Sequence, residues 1–139
     1  MIRKTWIGLA LAVALAQGHA AFACSCIKPP TPAEARNLSE AVVVGKVLEV
    51  APNGKGSGFV VKLQVEQSWK GPSCTEMTVA TGRGDGDCGY PFEVGKSYLV
   101  YAHKDGETLR TNICTRTKPL DVADEDLTAL GAASQSCSG

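Results

Sequence analysis

The six cysteines, at positions 24, 26, 74, 88, 114 and 137, constrain this chain most, because none of them precedes position 24. What does precede it reads as an export signal. Arg3 and Lys4 form a basic start, Ile7 to Ala16 an apolar run, and Ala21-Phe22-Ala23 an A-x-A cleavage site. The apolar run falls short of the roughly 20 residues that a membrane-spanning helix needs. A lipoprotein signal is the alternative, since Cys24 follows a small residue. Against it, Ala21 stands where leucine is expected, and Gln17-Gly18-His19 makes the approach to the cysteine long and polar. The expectation is a signal peptide over 1–23 and a single secreted domain over 24–139, periplasmic or extracellular, with Cys24 at its new N-terminus. In an oxidising compartment an even cysteine count implies disulfides throughout, and spacing alone leaves every pairing open.

Loss of Arg3 and Lys4 takes the basic count from 14 to 12 against 14 acids, a net charge of −2. A near-neutral chain has no electrostatic footprint for nucleic acid or an anionic membrane surface. Its length suits one domain. Pro29, Pro30 and Pro32 keep the start extended, since each fixes its own φ and biases the residue before it away from helix. Thr31-Pro32-Ala33-Glu34 matches a capping box with proline at the first helical position, and predicts a helix from about Pro32 to Ser39.

Strand signals follow. Ala41 to Val50 is rich in β-branched residues, and Gly45 within it predicts a bulge or bend. After a turn at Pro52–Gly58, Phe59, Val61, Leu63 and Val65 alternate with Val60, Lys62, Gln64 and Glu66, a half-buried strand running toward a core Trp69. Gly71-Pro72 breaks the pattern, and Thr75, Met77 and Val79 resume it as a third strand. Ser97–Ala102 is apolar on both sides and predicts a covered fourth strand. Asp105-Gly106 marks a hairpin, and Leu109, Thr111 and Ile113 a fifth strand running into Cys114. Finally, Asp121 is expected to cap a helix that ends at Gly131, with Ala123, Leu127 and Leu130 on its inner face. The fold class expected is all-β: a five-stranded OB-type Greek-key barrel with two short flanking helices, stapled by disulfides.

Catalytic readings fare poorly. Beyond position 23 there is a single histidine, His103, beside the predicted hairpin, so a serine or cysteine nucleophile has little to activate it. No pair of acids stands out as glycosidase carboxylates. Cys24-Ser25-Cys26 is too tight for structural zinc. The loop Gly82-Arg83-Gly84-Asp85-Gly86-Asp87 lacks the lysine and helix of a phosphate cradle and the glutamate of a calcium loop. The chain is therefore expected not to be an enzyme and to carry no cofactor of its own.

Several stretches point elsewhere. Cys24-Ser25-Cys26-Ile27-Lys28-Pro29-Pro30 resembles the start of the tissue inhibitors of metalloproteinases, which begin with C-(S/T)-C and continue with prolines. Cys88-Gly89-Tyr90 resembles the C-G-Y motif in the middle of that family's sequences, Thr111-Asn112-Ile113-Cys114 its later strand ending in cysteine, and Trp69-Lys70-Gly71 a strand-ending K-G pattern. The order and rough spacing agree along most of the mature protein, and match the family's N-terminal, netrin-like domain, itself an OB-type barrel. The resemblance implies the pairings Cys24–Cys88 and Cys26–Cys114 and leaves Cys74 with Cys137. The sequence departs from the family in that no cysteine lies near Arg36 and Asn37, and its 139 residues are expected to hold the N-terminal domain without the family's separate C-terminal one.

The function so implied is inhibition of a secreted zinc metalloproteinase. The free amine and carbonyl of Cys24 would chelate the catalytic zinc of the target, Ser25 would point into the S1′ pocket, and Cys26, Ile27, Lys28 and Pro29 would lie along the substrate groove. Gly86, Asp87 and Cys88 would form a second contact edge. Zinc enters only as the target's metal, and the partner is a metalloproteinase catalytic domain engaged by a monomer. The alternative is a non-inhibitory netrin-like module that binds another protein of the cell envelope, since fold resemblance does not establish function. A third class, a lipid-anchored envelope protein, would follow if Cys24 were acylated.

Overall fold

Two long strands carry the architecture. The structure is a computed structural model and describes residues 24–137; the expected signal peptide lies outside the described residues. Strand β1 (Ala41–Pro52) pairs antiparallel with β2 (Phe59–Lys70) along their whole length, from Val42 opposite Lys70 to Pro52 opposite Phe59. β2 then pairs with β3 (Glu76–Thr81), while β4 (Ser97–Asp105) turns at Gly106 into β5 (Thr108–Arg110). The sheet order is β1-β2-β3-β5-β4, and β4 pairs back onto β1, which closes the barrel. The fold is thus an all-β, five-stranded OB-type Greek-key barrel with two short flanking helices. Its thinnest seam is the parallel contact between β3 and β5, a single bridge at Ala80 and Arg110.

Burial explains why some strands alternate and others do not. On β2, Val61, Leu63 and Val65 point into the barrel and their neighbours are partly solvated. From Ala41 to Gly45 on β1 and from Tyr98 to Ala102 on β4 both faces are covered. Val43, Val47, Tyr98 and Val100 fill the interior, whereas Val42, Val44, Leu99 and Tyr101 pack outward beneath the helices with Ala35, Trp69, Ala123 and Leu130. Uninterrupted apolar runs at Val42–Val44 and Tyr98–Tyr101 follow from that two-sided burial. Trp69 is a core aromatic of this outer layer, its indole Nε1 donating to the Gly131 carbonyl at 2.9 Å. Gly45 sits at a register shift in β1, and a Cβ there would lie 3.1 Å from that of Leu63. The bend needs the missing side chain.

Helix α1 (Pro32–Leu38) starts as the capping box requires: the Thr31 hydroxyl accepts from the Glu34 amide, and Glu34 accepts from the Thr31 amide. After the short strand β6 (Lys118–Pro119) comes a 3-10 turn (Leu120–Val122), then α2 (Asp124–Leu130) and β7 (Gln135–Ser136), which pairs with β2.

Two expectations need correction. The fifth strand ends at Arg110, not at Cys114. The Asn112 side chain accepts from the amides of Cys114 and Thr115, a local turn that draws the backbone out of the sheet. Asp121 does not cap the last helix either. It lies within the 3-10 turn, and α2 starts later, with the fully buried Ala123 at the N-cap position and no capping bond from a side chain. Core packing of Ala123 fixes where the helix begins.

Candidate functional site

Residues 24–30 form an irregular segment that bends at Lys28, moored by disulfides at Cys24 and Cys26 and continuing into α1 at its other end. Disulfides join Cys24 to Cys88 and Cys26 to Cys114, with Cα–Cα separations of 5.3 and 5.2 Å; the third joins Cys74 to Cys137. The first two are the pairs that the family resemblance implies, and the third is the pair that it leaves over. The first two bridges abut, the Cys114 Sγ lying 3.9 Å from the Sγ of both Cys24 and Cys88. A backbone bond from the Ile113 amide to the Cys88 carbonyl, 2.9 Å, ties the two receiving loops together. Between the moorings the segment is open to solvent. Cys24 is half-buried, Ser25, Cys26, Lys28 and Pro29 are exposed, and Ile27 is 92% exposed.

The sulfurs of Cys24, Cys26 and Cys114 lie within 4.8 Å of one another, a spacing that metal sites share. Each is committed to a disulfide, and the thiolates that would bind a metal are not available. The cluster is an anchor.

The loop before Cys88 is organised from within. The Asp87 carboxylate accepts from the amides of Arg83 (2.7 Å), Gly84 (2.9 Å) and Gly89 (3.1 Å). Those backbone donors, Arg83 first, hold its pKa below the ordinary carboxylate range. Gly82 and Gly89 meet so closely that a Cβ on Gly89 would fall 2.2 Å from the Gly82 carbonyl. Cys88 itself takes a positive φ of 60°. The loop therefore presents its backbone and the Cys24–Cys88 bridge at the surface, while the Asp87 side chain is engaged in holding the turn. Gly86 and Asp87 precede by two residues and by one the Cys88 that is bridged to Cys24.

A second group went unnoticed in the sequence. Asp126 on α2 has no solvent exposure, and its two oxygens accept from Arg116 Nε and Nη2, each at 2.7 Å. The Lys118 ammonium and the Tyr101 hydroxyl (2.8 Å) complete its partners. Burial opposes the charge, but the donors from Arg116, Lys118 and Tyr101 outweigh it and bring the Asp126 pKa down to about 2. Burial, then the bond to Asp126, pushes the Tyr101 phenol up. The remaining Arg116 nitrogen, Nη1, donates to the Pro30 carbonyl at 3.1 Å. A signal for this was present in the sequence: Asp126 stands three residues after Ala123 and four before Leu130, on the apolar stripe of the helix, where a carboxylate must be paired.

Pro30, Leu38, Tyr101, His103, Cys114 and Arg116 border a hollow of about 280 Å³ under the root of the segment. Its one imidazole, His103, shares it with a disulfide sulfur rather than with a thiol. No helix among the described residues is long and apolar enough to cross a membrane. The sequence matches no protein-family model and no curated protein.

Proposed function

We propose that the protein is a secreted inhibitor of zinc metalloproteinases, similar in its mode of action to the tissue inhibitors of metalloproteinases. The observation that carries this reading is the segment 24–29: exposed from Ser25 to Pro29, yet fastened to a rigid barrel at Cys24 and Cys26. Cleavage after Ala23 would leave the α-amine of Cys24 at its tip. An amine and a carbonyl on one residue form a compact chelate, and a catalytic zinc keeps a coordination position open for water. Occupying that position removes the nucleophile that the metal generates. The α-amine titrates at about 7.7–8.0 when free, and zinc favours its neutral form. Ser25 then faces the S1′ pocket, and Cys26, Ile27, Lys28 and Pro29 follow the substrate groove. Gly86, Asp87 and Cys88 provide an adjoining edge. Because the bridges order the segment beforehand, less entropy is lost on binding.

The test is to titrate a panel of zinc-protease catalytic domains with the exported protein and with a form carrying one extra alanine before Cys24. The extension leaves the barrel and bridges in place but displaces the amine. Inhibition that collapses in the extended form supports the zinc-directed mechanism. Equal inhibition by both forms refutes it, and no inhibition across the panel leaves a barrel that binds some other protein of the envelope.

A further inference from the structure

We infer that Arg116, aimed by Asp126, is the positioning residue of the N-terminal segment: a third tether that sets the path of the stretch between the disulfides at its tip and helix α1 at its root. The inference deepens the inhibitor reading but is read from the segment itself. Between Cys24 and Pro30, among the described residues, the one backbone group that takes a hydrogen bond from the body of the protein is the Pro30 carbonyl, and Arg116 provides that bond. The disulfides act at Cys24 and Cys26, and the capping box holds Thr31 at the start of α1, so Ile27 to Pro30 span two anchors with this one bond between them.

The chemistry of the guanidinium suits the task. Its Nε and Nη2 are locked as a fork on both oxygens of Asp126, and the planar group then leaves Nη1 pointing one way only, at Pro30. Arg116 is 12% exposed and Asp126 not at all, so the tether is rooted in packed structure rather than on the surface. Pro29 and Pro30 carry the constraint outward, since their fixed φ angles couple the direction of Lys28 and Ile27 to the clamped carbonyl. A lysine in place of the arginine keeps the charge against Asp126 and has no rigid fork with which to reach both partners.

The experiment compares the exported protein with Arg116→Lys by residue-resolved amide dynamics and hydrogen exchange. In the variant, the amides of Ile27 and Lys28 are expected to lose order while Val61 and Val100 in the barrel keep their protection. Unchanged order at Ile27 and Lys28 overturns the inference, and so does a uniform loosening that includes the barrel. Should Arg116→Lys not fold, the wild-type side chain decides. Slowly exchanging, individually resolved Arg116 Nη1 protons support the tether, and rapidly exchanging ones overturn it. Against a protease that the wild type inhibits, the variant is expected to be weaker by about tenfold, the scale of one ordering cost. Equal potency with a segment that stays ordered sinks the tether and leaves the inhibitor reading standing. If no protease is inhibited at all, the dynamics still decide the tether on their own.

Discussion

Asp126→Asn is the substitution that weighs the buried charge cluster most directly. The wild-type carboxyl titrates at about 2 in the folded protein against an ordinary 3.8. A folded pKa below the unfolded one means that the unfolded state binds the proton first, so the contribution is complete above about pH 4 and is lost as pH falls toward 2. The difference corresponds to about 2 kcal/mol at neutral pH. That counts the proton alone. Asparagine also leaves Lys118 without its partner and the largely buried Arg116 with only the exposed Glu125 carboxylate, 3.6 Å away, and breaking a buried pair costs about 3–5 kcal/mol in other proteins. Asp126→Asn is therefore expected to lose about 2–5 kcal/mol at pH 7, a large part of the 5–15 kcal/mol that a domain typically has.

The assay is unfolding in urea with the disulfides intact, at steps from pH 7 to pH 2. Urea is uncharged and leaves the screening of the cluster unaltered. The gap between the two proteins should narrow by about 2 kcal/mol over the acid limb, because both then carry a neutral group at position 126. The other carboxylates are common to both and drop out of the difference. A gap that is independent of pH, or smaller than about 1 kcal/mol at pH 7, would refute the assignment of Asp126 as the charged hub. Replacing Arg116, Lys118 and Asp126 together by apolar residues should recover part of the loss, as the desolvation cost is then removed.

Three further outcomes are expected. Tyr101→Phe removes a donor from Asp126, which should cost about 1 kcal/mol and shrink the acid limb of the same titration, since the folded pKa moves up toward the unfolded one. Gly89→Ala puts a Cβ 2.2 Å from the Gly82 carbonyl. The loop must open, at about 1–3 kcal/mol on the scale of overpacking, and a variant with the wild-type urea midpoint would show that the contact is not tight. Replacing Cys74 and Cys137 with serine releases a bridge spanning 63 residues, worth up to about 4 kcal/mol by loop entropy. Backbone order at Ile27 and Lys28 should nonetheless stay as it was, which amide relaxation measurements check.

The barrel was legible because its strands are written in their side chains. β2 alternates where one face is solvated, and β1 and β4 run continuously apolar where helices cover the outside. The capping box at Thr31 and Glu34 and the bulge at Gly45 also act over a few residues, so the sequence contains the whole cause. The two misread boundaries have causes that compete locally. Leu109, Thr111 and Ile113 keep the period of a strand, but the Asn112 side chain offers the following amides another acceptor. Asp121 has the chemistry of a cap, but Ala123 is the residue that the core accepts at the helix start.

What no local pattern conveys is how the last helix reaches the first residues. Arg116 and Pro30 are 86 positions apart, and the bond between them exists only because α2 brings Asp126 under the segment. α2 in turn is held by Ala123 and Leu130 in the outer core and by the Trp69 indole on the Gly131 carbonyl. None of these contacts passes through the Cys74–Cys137 bridge, which fastens the tail beyond the helix to the β2–β3 connection. The bridge and the tether are therefore separable: one limits the unfolded state, the other aims the folded segment. If the segment loosened when Cys74 and Cys137 were replaced, α2 would have to depend on the tail for its place, and packing around Trp69 would not suffice to hold it.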